Sequence, residues 1–108
     1  MAKLLRQSTA SQEMPIGRMV DATDGDTEET GLTINNTDIK LWKAGTTTFA
    51  SKNSGGATHS ANGLYYATLD DTDTNTLGAL KVYVHVAGAL AWEDSYQVLP
   101  AAVFDALT

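Results

Sequence analysis

Carboxylates are the side chains of this chain best placed to do chemistry, and they are bunched. Asp21, Asp24, Asp26, Glu28 and Glu29 fall within nine residues, and Asp70, Asp71 and Asp73 within four. Oxygen-rich loops of this kind hold calcium when the spacing of ligands is right. The run Asp71-Thr-Asp-Thr-Asn-Thr-Leu-Gly opens like a helix-loop-helix calcium loop, and Asp71, Asp73 and Asn75 are the ligands it would offer. Two positions then fail. Thr76 stands where a glycine makes the sharp turn, and Val82 where a bidentate glutamate belongs. The expectation is no cofactor and a solvated turn whose Asp and Thr side chains bond nearby amides. The same acids would make a glycosidase pair only beside a sugar platform and an apolar proton-donor pocket, and neither has a signal nearby.

The remaining chemistry is sparse. His59 and His85 are isolated, and a metal site needs several ligands at defined spacing. No serine sits in a Gly-x-Ser-x-Gly elbow. Gly55-Gly56 is too short for a phosphate loop and lacks its Lys-Ser/Thr pair. There is no cysteine, which removes disulfides, thiolate metal sites and thiol nucleophiles. A non-enzymatic protein is expected. The net charge of −6 opposes a sequence-independent grip on nucleic acid or an anionic membrane, so neither is expected as a partner. The longest apolar tract, Val82 to Trp92, is broken by His85 and Gly88, and the first residues lack a signal peptide's apolar run.

The elements that must carry these residues are strands. The 108 residues are one domain's worth, and fifteen threonines with nine glycines favour strands and turns. Leu80, Val82, Val84 and Val86 alternate with Lys81, Tyr83, His85 and Ala87, a half-buried strand ending at Gly88. Trp92 to Leu99 alternates again, with Trp92, Tyr96 and Val98 inward, and Pro100 ends it. Thr37 to Lys43 reads as a strand with Thr46 to Ala50 as its hairpin return. Asn62-Gly63 opens another strand, to Leu69. Met14 to Val20 and the short Gly31 to Ile34 complete the set. Breaks fall at 21–30, 44–46, 52–63, 70–78 and 87–91. The expected architecture is all-β: a single antiparallel β-sandwich of about six to eight short strands over 14–99. Residues 1–13 are expected to form an extended N-terminal arm, and 100–108 a C-terminal docking segment of at most two helical turns that either folds back onto the sandwich or docks onto another subunit.

Contact surfaces follow from phase. Tyr66, Trp92 and Tyr96 read as packing. Trp42 and Tyr83 fall on the outer phase of their strands and are the candidates for an exposed patch. Leu4 and Leu5 in the arm, and Val103, Phe104 and Leu107 at the end, are the candidate docking residues of the termini.

Val20-Asp-Ala-Thr-Asp-Gly-Asp-Thr-Glu-Glu-Thr-Gly-Leu-Thr-Ile34, Asp38-Ile-Lys-Leu-Trp-Lys-Ala-Gly45 and Asp73-Thr-Asn-Thr-Leu-Gly-Ala-Leu-Lys-Val82 stand together with a closing Tyr96-Gln-Val-Leu-Pro-Ala-Ala-Val-Phe-Asp-Ala-Leu107. As a set they resemble small virion proteins encoded among the structural genes of tailed bacteriophages. The order of strands and turns is also similar to the immunoglobulin-like N-terminal module of phage upper-baseplate proteins, which mounts receptor-binding parts. The resemblance covers roughly residues 14–107 and carries no catalytic fingerprint. It implies an immunoglobulin-like sandwich in the virion, assembled in the host bacterial cytoplasm, whose partners are other virion proteins and copies of itself. No fibre or receptor domain is expected after the module. A docking adaptor on tail, collar or baseplate is the first expectation. A capsid decoration protein is the second, and a host-glycan-binding module stacking sugars on Trp42 or Tyr83 is the third.

Overall fold

The computed structural model describes residues 3–107, and eight strands, one 3-10 turn (Asn36–Asp38) and one short α-helix account for its regular structure. Strands β1 (Lys3–Arg6), β8 (Trp92–Leu99), β7 (Gly78–Val84), β3 (Ile39–Lys43) and β4 (Ala50–Ser51) lie in that order in a five-stranded sheet. Strands β2 (Gln12–Ile16), β6 (Leu64–Leu69) and β5 (Ala57–Ala61) form a three-stranded sheet. The two sheets enclose one apolar core, so the chain is a two-sheet β-sandwich.

Alternation builds that core. Leu80, Val82 and Val84 of β7 face Ile39 and Leu41 of β3 on one side and Tyr96 and Val98 of β8 on the other, all buried. Met14 and Ile16 of β2 and Tyr65, Ala67 and Leu69 of β6 close it from the second sheet. Each large apolar side chain buried this way contributes roughly 1.5–3 kcal/mol. The Tyr96 ring packs beneath the Lys3 ammonium, 5.5 Å away, and burial pushes its hydroxyl pKa up. Trp92 is only partly buried, against the edge of the cluster.

Three expectations about the strands change. The arm over 1–13 is built into the body, as far as it lies within the described residues (1 and 2 lie outside them). Leu5 is 5% exposed in the core, and β1 pairs with β8 in register Leu5↔Val98. The Arg6 amide donates to Gln12 Oε1 at 2.8 Å and Gln12 Nε2 donates back to the Arg6 carbonyl at 2.9 Å, which fixes the passage to β2. The β1–β8 pair is parallel, so the sandwich is not wholly antiparallel. β5 occupies what reads in the sequence as a loop. It joins β6 through Asn62-Gly63, both at positive φ (53° and 81°), the backbone a two-residue hairpin turn with right-handed strand twist requires.

Other bounds are shorter than expected. The Met14 strand stops at Ile16, the Gly31–Ile34 stretch contributes only the bridge Ile34↔Ala57, and the hairpin return shrinks to Ala50–Ser51. The end of the chain is the two-turn helix α1 (Ala101–Leu107), packed against β1.

Candidate functional site

The outer face of the five-stranded sheet gathers the exposed aromatics. Odd and even positions of β3 and β7 alternate between core and solvent, so Trp42 lies opposite Lys81 and Tyr83 opposite Lys40. Trp42 and Tyr83 are therefore diagonal neighbours on one face, within reach of each other for aromatic side chains. Tyr83 is 36% exposed and Trp42 half-buried. Phe49, just before β4, adds a third ring. It is 46% exposed and stands edge-on to Tyr83, with centroids 6.5 Å apart and planes at 61°. Sequence phase finds Trp42 and Tyr83. Phe49 escapes it, because residues 46–49, expected as a hairpin return, belong to no strand in the structure and a strand phase does not place them.

Lysines frame these rings. Lys40 Nζ donates to Ser51 Oγ at 2.9 Å, and Lys81 Nζ pairs with Glu93 Oε1 at 3.1 Å. Both are surface contacts worth well under 1 kcal/mol. Their methylene stems extend the apolar area while the heads stay solvated. The face presents grouped aromatic rings with a margin of mixed charge, Lys40, Lys81 and Glu93, the composition of a protein-contact patch: large rings inside, charge at the rim.

The terminal candidates divide. Leu4 is 37% exposed on the outer side of β1, whereas Leu5 is in the core and is not a contact residue. Val103 and Leu107 are 45% and 64% exposed on α1, and Phe104 is half-buried. Asp105 holds α1 against β1 by accepting Arg6 Nε at 3.0 Å and a second guanidinium nitrogen at 3.2 Å. Residues 101–107 thus fold back onto the sandwich, and Thr108 lies outside the described residues.

The acidic clusters serve the backbone. Asp21 Oδ1 accepts the Thr23 amide at 2.6 Å, and Asp24 Oδ1 accepts those of Asp26 and Thr27, both at 2.9 Å. The Tyr65 hydroxyl donates to the Glu29 carbonyl and accepts the Leu32 amide, tying this loop to the core. Asp73, expected in a solvated turn, is instead 2% exposed, and its carboxylate accepts the amides of Asn53 and Asp70. Asn75 Oδ1 accepts Lys43 Nζ, and Asp71 is exposed. No group of three or more acidic or histidine side chains among the described residues could hold a metal ion. His59 packs edge-on to Tyr65 and accepts the Gly63 amide, and His85 is exposed.

The loop at 21–29 has a pH signature. The Thr27 hydroxyl, then the Thr27 and Asp26 amides, hold the Asp24 carboxyl at about 2. The Thr23 amide, then Glu29, lower Asp21, while the Asp21 bond raises Glu29. Carboxyls more acidic folded than unfolded keep their bonds above the ordinary aspartate value of about 4 and lose them as pH falls through the folded one. The Asp26 and Thr27 amide resonances are expected to shift together with a midpoint near 2. A midpoint at the ordinary aspartate value would show that these bonds are not formed.

No protein-family model, no curated protein and no solved structure matches this chain.

Proposed function

We propose that the chain is a non-enzymatic docking module of a tailed-phage virion, an immunoglobulin-like sandwich mounted on tail, collar or baseplate through the outer face of its five-stranded sheet. The observation that carries the reading is the grouping of Trp42, Tyr83 and Phe49 on that face. Two rings on a rigid sheet with a third packed edge-on from the adjoining loop cost little conformational entropy to bury, and aromatic rings carry much of the binding energy of protein interfaces. The resemblance of its turn-and-strand phrases to small phage virion proteins supplies the setting. A ring of copies would add avidity to a modest single contact.

The test is incorporation into particles. The double variant Trp42→Ala/Tyr83→Ala is expected to fold, with a melting temperature lowered by only roughly 4–8 °C since neither ring is in the core, and to be lost from purified virions at least about tenfold. Particles carrying the double variant at the wild-type level would refute docking by this face. Density for the chain in electron micrographs of the intact virion separates a tail or collar position from a capsid one.

A further inference from the structure

The opposite sheet carries an open cavity of about 570 Å³ between the β1–β2 loop, residues 52–58 and the end of β6. That volume suits a small ligand. The side chain of Lys52, which lines it, is buried, with the residue 1% exposed. Lys52 Nζ donates to the carbonyls of Ser54 and Gly55. An ammonium has three N–H donors, so one is left over. Among the described residues no carboxylate pairs with it. A buried cation without a counter-charge is costly, and an anionic group entering the cavity would supply both the third acceptor and the missing charge.

The rest of the lining says what else that ligand carries. Tyr66 points outward from β6, 38% exposed, and brings an aromatic ring to the lining. Thr58 lies directly across from it, and Thr68 follows two residues along on the same face. Ser11 adds a hydroxyl from the β1–β2 loop. Asp70 stands at the end of the strand, its carboxylate accepting Asn53 Nδ2 at 2.8 Å and the Asp73 amide at 2.9 Å. Burial raises the Asp70 pKa, but the Asn53 and Asp73 bonds outweigh it and hold the carboxyl below its ordinary value. This charge repels a second anionic group yet keeps lone pairs for hydroxyl donors. A polyphosphate therefore fits badly. A ring with one apolar face, several hydroxyls and one acid group fits well.

We propose that this cavity binds an acidic sugar unit, a pyranose bearing a single carboxylate, with the acid on Lys52, the ring face on Tyr66 and the hydroxyls on Thr58, Thr68 and Asp70. The site lies on the sheet facing away from Trp42 and Tyr83, so it stands or falls independently of docking by that face.

The test is calorimetric titration of the full chain with galacturonate and with sialyllactose, against galactose, lactose and acetate. At least one acidic sugar is expected to bind, and the neutral sugars and acetate at least about tenfold more weakly, as loss of a charge-assisted contact to a buried group requires. Tyr66→Ala and Thr68→Val alter exposed side chains, keep the fold, and are expected to weaken binding by about tenfold and severalfold respectively. Lys52→Met is expected to abolish it, and where that variant does not fold, the first two decide. Trp42→Ala is expected to leave it unchanged. The proposal is overturned if neither acidic sugar binds, if neutral sugars bind equally well, if acetate binds as tightly as the sugars, or if Tyr66→Ala binds like the parent.

Discussion

Asp73→Ala is expected to destabilise the domain by about 3 kcal/mol, near the upper end of what one polar side chain contributes. The carboxylate is 2% exposed and accepts two amides, from Asn53 at 2.9 Å and from Asp70 at 3.1 Å. The Asp73 amide in turn donates to Asp70 Oδ1 at 2.9 Å. Thr74, fully buried beside it, bonds the Asp70 carbonyl and accepts the Thr9 amide. One turn thus joins the β1–β2 loop, the segment after β4 and the β6–β7 connection. Alanine leaves two sheltered amides without an acceptor, and hydrogen bonds to charged groups are worth about 1.5–3 kcal/mol each. In a domain this size that lowers the melting temperature by roughly 12–20 °C. Asp71→Ala, two residues away and exposed, is expected to stay within about 0.5 kcal/mol of the parent. Urea unfolding of both variants checks the contrast, and equal stability would mean that the two amides find other acceptors.

That turn marks where sequence reasoning reaches its limit. The spacing of Asp71, Asp73 and Asn75 is local, and it suggests either a cation loop or a solvated turn. The partner that decides between uses is the amide of Asn53, twenty residues earlier. No local pattern encodes it. The strands divide on the same physical ground. β7 and β8 are legible because a sheet with one face buried writes period two into its sequence, and β6 reads clearly for the same reason. β5, Ala-Thr-His-Ser-Ala, is almost wholly exposed at a sheet edge, so burial imposes no alternation on it. Only the Asn-Gly turn after it betrays a hairpin. β1 offers one inward residue, Leu5, and its parallel pairing with β8 is settled by contacts almost the whole chain apart. Trp42 and Tyr83 were readable as outer residues, but the cavity around Lys52 was not. Its walls come from four separate stretches, and a single lysine between Ser51 and Asn53 looks like any surface residue.

Gly56→Ala is expected to cost about 3 kcal/mol or more, although Gly56 sits in a loop-like stretch where alanine is usually harmless. Its backbone is not in the left-handed region, so the cause is space. A Cβ built there would lie 1.8 Å from the Ile34 carbonyl oxygen and 3.0 Å from the Asn35 Cα. Both are backbone atoms that no rotamer change can move aside. The same carbonyl accepts the Ala57 amide at 3.0 Å, the bridge that holds the start of β5 to the buried Ile34. Relieving the clash means breaking that bridge and lifting Ile34, 3% exposed, out of the core. Gly31 is the control. It has no neighbour within 4 Å of an added Cβ and no positive φ, so Gly31→Ala is expected to be neutral or to gain up to about 1 kcal/mol by restricting the unfolded chain. Denaturant midpoints for the pair read the difference directly. If Gly56→Ala unfolds at the parent's midpoint, β5 does not approach Ile34 this closely, and Gly56, Ala57 and Ile34 do not form a common wall of the Lys52 cavity.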